Sequence, residues 1–118
     1  MFENAELGHK LDKATYERDL PQLRSDLLRF PESSALHFTL GNVYSAQSRW
    51  TEAQAEYFEA HRLDPGSADV MFNLAVAMDH LGQGRLAAGF YRRALESAPG
   101  QSAQFDTNAV ARRLAELH

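Results

Sequence analysis

The residues of this 118-residue chain that could do chemistry are five histidines, a row of carboxylates and a short glycine-rich run. His9, His37, His61, His80 and His118 are dispersed, and no two stand at i, i+4, the spacing that offers two imidazoles to one ion from a single helix face. Glu52, Glu56 and Glu59 recur at helical spacing, which reads as a solvated helix surface paired with Arg62. Gly82-Gln83-Gly84 lacks the preceding strand and the third glycine of a phosphate-binding loop, so it is expected to be a turn. No Gly-x-Ser-x-Gly elbow occurs, and the absence of cysteine excludes disulfides and thiolate metal sites and fits a reducing compartment. The expectation is a protein that is not an enzyme and has no cofactor and no metal.

Composition narrows the class further. A length of 118 residues without a shift in composition predicts one small domain with a real core. No apolar run approaches the roughly 18 residues of a membrane span. A net charge of -4 argues against a general hold on nucleic-acid phosphates, which relies on a basic surface. The start, MFENAELGHKLDK, lacks the zones of a secretory signal, so the chain as written is expected to be cytoplasmic, or periplasmic if Met1 is not the natural start. Ten arginines against two lysines, with many alanines, hint at a GC-rich, bacterial coding sequence.

What positions these residues is a period of thirty-four. Pro31, Pro65 and Pro99 are equally spaced, the last two each followed by glycine. Laying 34–67 over 68–101 matches Phe38 with Phe72, Leu40 with Leu74, Ala53 with Ala87, Tyr57 with Tyr91 and Ala60 with Ala94. Within the first unit His37, Leu40, Gly41 and Tyr44 fall at i, i+3, i+4, i+7 and predict one helix, A. Ala53, Tyr57 and Ala60 predict a second, B, with Thr51 as its cap and Gln54 completing a capping box. Gly82-Gln83-Gly84 separates the helices of the next unit, and Pro-Gly stops helix B of both.

A 34-residue helical hairpin carrying Leu40-Gly41, Tyr44, Ala53, Tyr57, Ala60 and Pro65 resembles a tetratricopeptide repeat. The second copy keeps Leu74, Ala87, Tyr91, Ala94 and Pro99 and departs at Ala75 and Met78, where glycine and tyrosine are usual. The resemblance implies an all-α fold, a right-handed α-α superhelix of about three hairpins and a C-terminal capping helix. It implies that Gly41 and Ala53 lie where helices A and B cross closely. It also implies that His37, at a position often aromatic, is a packed or half-buried ring.

Residues 1–33 read as a degenerate first repeat, with Leu7-Gly8 and Leu11 echoing Leu40-Gly41 and Tyr44. Pro21 is tolerable there only in the first turn of a second helix, which makes Asp19 its expected N-cap. In 102–118, Asp106 is the expected N-cap of a last helix, with a Phe105 to Val110 staple. Its stripe of Val110, Leu114 and Leu117 is expected to cover Leu86, Phe90 and Tyr91, with Arg112, Arg113 and Glu116 pointing elsewhere.

For function, the resemblance implies a non-catalytic module that binds a protein or peptide on the concave face lined by the A helices. Its candidate residues are Phe38, Asn42, Ser45 and, in the next unit, Asp69, Phe72, Asn73, Val76, Asp79 and His80. Two phenylalanines at equivalent positions of that face are the leading feature; the other reading has them packed on the neighbouring A helix or under the terminal helix. Asn42 and Asn73 resemble part of the carboxylate clamp of chaperone-binding relatives, but Phe38 stands at a lysine position and Ala103 and Thr107 supply no cation. An apolar or mixed peptide is therefore the expected ligand, within a scaffold for a larger bacterial assembly. The alternatives are a self-assembly module that forms homo-oligomers, or a structural segment of a longer protein.

Overall fold

Serines thirty-four residues apart start two of the helices. Ser33 Oγ accepts the N–H of Leu36 at 3.2 Å and Ser67 Oγ that of Val70 at 3.3 Å, each satisfying a first-turn donor that has no partner within the helix. The computed structural model describes residues 13–117, and these form six α-helices with no strand among them. They are α1 (Lys13–Arg29), α2 (Ser34–Ala46), α3 (Trp50–Leu63), α4 (Ala68–His80), α5 (Gly84–Ser97) and α6 (Thr107–Glu116). The all-α expectation holds. Asp106 caps α6 as its sequence predicts, accepting from Asn108 N and Ala109 N, and α3 and α5 stop just before Pro65 and Pro99.

Two local readings are corrected. α1 runs unbroken through Pro21, so Asp19 is not an N-cap; Leu20, Leu23 and Leu27 keep one packed stripe along the helix across the proline. The proposed helix around Leu7, Gly8 and Leu11 lies outside the described residues. The second correction concerns α3, which begins at Trp50 with Arg49 as its uncapped N-cap rather than after Thr51. Its start is set by the turn: Arg49 N donates to Tyr44 O and Arg49 O takes Ala53 N, both at 2.9 Å. Gln54, freed from a capping box, donates instead to Gln83 Oε1 at 2.6 Å.

The same backbone bond closes the other turn, from Gln83 N to Met78 O at 2.9 Å. Both turns need a left-handed residue at one place, taken by Gly82 with φ 75° and by Ser48 with φ 57°. Glycine adopts that conformation without a Cβ penalty, whereas serine does so at a cost of about 1 kcal/mol.

α2 packs on α3, α4 on α5, and α3 against α4, while α1 covers α2 and α6 covers α5. α4 is the centre of the molecule, with every residue from Val70 to Asp79 buried. Each hairpin is pinned by a tyrosine. Tyr57 and Tyr91 are fully buried, and their rings tilt against Phe38 at 5.9 Å and 49° and against Phe72 at 6.2 Å and 53°.

Gly41 permits this arrangement. A Cβ on it would stand 2.6 Å from Tyr57 Cε1 and 2.7 Å from Cδ1, too close for any real contact. The ring cannot yield easily, because its hydroxyl is held by Asn42 and Ser45. Gly41→Ala should therefore destabilise the chain by about 1–3 kcal/mol, although alanine is the better helix former. Urea denaturation measures this, and an equal or higher midpoint would show that the crossing is looser than described.

Candidate interaction surface

The residues expected to line a groove divide into three sets. Asn42 and Ser45 turn inward to Tyr57: its hydroxyl donates to Asn42 Oδ1 at 2.7 Å. With that single proton committed, Ser45 Oγ is the donor in its 2.9 Å bond to the same oxygen. Burial pushes the Tyr57 pKa far above the usual tyrosine value.

Phe72, Asn73, Val76 and Asp79 are also buried, and Phe72 and Asp79 meet the chain's own C-terminal segment. Phe105 stacks on Phe72 with centroids 4.6 Å apart and planes 10° from parallel. Gln104 N donates to Asp69 Oδ1 at 2.7 Å, and Gln101 bridges Ala68 N and Gly66 O at 2.9 and 2.8 Å. Asn73 Nδ2 donates to Asp69 O at 2.8 Å. For Phe72 the reading of a ring under the terminal segment is the one observed.

Phe38, Asp69 and His80 keep partial exposure. His80 stacks on Trp50 with centroids 3.7 Å apart, joining the end of α4 to the start of α3. Beside Phe38 in sequence, Thr39 and Val43 of α2 meet Asp19, Gln22 and Leu23 of α1 around a cleft of about 190 Å³.

The functional weight of α6 differs from its sequence reading. Val110 is fully buried and Leu114 and Leu117 pack on the core, but Leu86 remains 55% exposed and Phe90 packs against Phe58 and His61 instead. Arg113 does not point away. Its Nη2 donates to Asp79 Oδ1 at 2.6 Å and its Nε to Oδ2 at 2.7 Å, and Tyr91 donates to Oδ2 at 3.0 Å. Burial alone would raise the Asp79 pKa; the bonds from Arg113 and Tyr91, with the guanidinium charge, reverse that and hold it below its ordinary value. The signal for this pair lay in the period: Ser45, Asp79 and Arg113 are successive positions thirty-four apart.

The carboxylate row on α3 is not a uniform solvated face. Glu59 pairs with Arg62 as expected and Glu52 with Arg49, but Glu56 meets His37 Nδ1 at 2.7 Å. His37 Nε2 faces the Pro31 carbonyl at 2.9 Å, so both ring nitrogens meet acceptors, an arrangement that favours the protonated ring. Burial opposes that charge, but the bonds to Glu56 and Pro31 outweigh it and raise the pKa above 6.5. Among the described residues no three His, Asp or Glu side chains gather where a metal ion could sit.

No protein-family model matches the chain, and no curated protein matches it.

The two ion pairs carry separate tests. Arg113→Leu leaves the Asp79 carboxylate buried without its cation and should cost about 3–5 kcal/mol. Adding Asp79→Ser, the residue that serves Tyr57 at the equivalent position, should recover most of that loss; a double variant as unstable as the single one would contradict the assignment. For His37, a folded pKa above the unfolded value means that its contribution is complete below about pH 6.5 and disappears as pH rises through the folded pKa. Stability should fall by about 0.5–1 kcal/mol between pH 6 and 8.5 in the native chain, a fall absent from His37→Gln. Parallel pH profiles for the two proteins would contradict this.

Proposed function

We propose that this chain is a non-catalytic protein-interaction module of the tetratricopeptide-repeat kind, a right-handed stack of hairpins whose A-helix face takes a partner peptide within a larger assembly. Recurrence supports the repeat reading. The turn bonds, the serine caps, the Phe–Tyr packing and the tyrosine hydroxyl bonds to Ser45 and Asp79 all return at an interval of thirty-four residues.

The observation that carries the binding reading is the chain's own segment 101–105 lying on α4. It engages that face as a bound peptide would, with an aromatic ring stacked on Phe72 and an N–H donated to Asp69. Apolar contact with a few directed hydrogen bonds is the chemistry by which helical solenoids hold extended segments. With the α4 stretch so covered, the partner reads the α2 stretch, with Phe38 as its aromatic contact and the α1–α2 cleft as a socket for a small apolar side chain.

A second reading has support of its own. Leu28 and Phe30 at the end of α1 are 87% and 56% exposed, a surface suited to another copy or to the neighbouring segment of a longer chain.

The test is capture from a native bacterial lysate with the chain and its Phe38→Ala variant, each checked by circular dichroism. Partners held by the native chain should be lost from a variant that melts within a few degrees of it. An unchanged captured set would remove Phe38 from the site, and an unfolded variant would make the ring core and the reading wrong.

A further inference from the structure

A second surface lies between α5 and α6 and shares no lining residue with α2. Arg24 donates to the Tyr44 hydroxyl, and Arg49, Arg62 and Arg113 each engage a carboxylate. Among the described residues Arg29, Arg85, Arg92, Arg93 and Arg112 engage no carboxylate, and of these Arg85 and Arg92 line one cleft. Seven residues apart on α5, they stand on one helix face about 10 Å apart along the axis. Between them Ala88 and Gly89 form the floor of a cleft of about 470 Å³, which Glu116 and Leu117 close on the α6 side.

Gly89 is the second observation. A glycine inside a helix costs about 1 kcal/mol relative to alanine, and Gly41 shows what justifies it: a ring against its backbone. At Gly89 an added Cβ would meet nothing within 4 Å. No packing among the described residues uses its small size, so it leaves a flat floor for a backbone from outside. Charge is also uneven along the sequence. From Gly84 onward Arg85, Arg92, Arg93, Arg112 and Arg113 face only Glu96, Asp106 and Glu116, in a chain whose net charge is -4.

We propose that this α5–α6 cleft docks an acidic segment of a partner protein, a helix with carboxylates two turns apart for Arg85 and Arg92 and a small apolar residue between them over Gly89 and Leu117. Charge complementarity selects the acid, because two unpaired guanidiniums present forked donors to carboxylates. The apolar floor of Ala88, Gly89 and Leu117 selects a protein segment, which has an apolar side chain to bury there, over a polyphosphate, which has none. The inference is independent of the A-helix reading, and Phe38→Ala leaves this cleft intact.

The probe is a fluorescein-labelled synthetic helix of about twenty residues with Glu at i and i+7 flanking Ala and Leu, compared with its Gln-for-Glu form by fluorescence anisotropy. The Glu peptide should bind the native chain, and binding should weaken with salt and fall about tenfold or more in Arg85→Gln/Arg92→Gln. Gly89→Ala should melt higher than the native chain while binding the peptide more weakly, a combination that a purely structural glycine cannot produce. The proposal is overturned if the Glu peptide does not bind, if the Gln peptide binds equally, or if the arginine variant binds as before. It is also overturned if a labelled oligothymidine binds more tightly than the peptide, or if the arginine substitutions convert a self-associated species to monomer, which would make the occupant a second copy.

Discussion

A tyrosine hydroxyl taken out of water has to find a partner, and that requirement sets the geometry of both hairpins. Tyr57 reaches across from α3 to Asn42 and Ser45 on α2, and Tyr91 reaches from α5 to Asp79 on α4. For the first ring to lie so close, α2 must present a bare backbone, which Gly41 supplies. The second hairpin manages the same crossing with Ala75, fully buried, and with Asp79 as an acceptor for its tyrosine. Depth, rotation and spacing of the paired helices therefore follow from two rings and the small residues beneath them.

That acceptor creates a second requirement. Serine at position 45 is neutral, but aspartate at 79 brings a charge into a buried site. A buried carboxylate has to be paired, and Arg113 of α6 supplies both donors of a bidentate bond. The polar choice made for Tyr91 thereby fixes where α6 lies, and with Phe105 on Phe72 it closes the face of α4 against the chain's own C-terminal segment. Surfaces that stay open include the α1–α2 cleft and the arginine face of α5.

How much of this could be read beforehand depends on the range of the interaction. The thirty-four-residue interval, the Asp106 cap and the stops at Pro65 and Pro99 were legible because each is a local rule or a repeated one, whereas Gly41 was expected from the resemblance to face Ala53 and instead lies against the ring of Tyr57. The cap at Thr51 was misread because the turn from Tyr44 to Arg49 closes through backbone bonds that composition does not reveal. Pro21 was misread because a packed stripe on both sides outweighs a strong local preference. The covering of Phe72 depended on where an irregular segment after Pro99 would run. Arg113 sat in an ordinary amphipathic helix, and only its register with Ser45 and Asp79 marked it.

The central claim is that each hairpin is built around a buried, hydrogen-bonded tyrosine hydroxyl. An alkaline titration followed by NMR of the chain carrying carbon-13-labelled tyrosine tests it most directly. Burial pushes the pKa of both Tyr57 and Tyr91 well above the ordinary value of 10.0, so their ring signals should stay protonated until the helical signal is itself lost. Ionisation of either ring near pH 10 with the helices intact would place its hydroxyl in water and contradict the account.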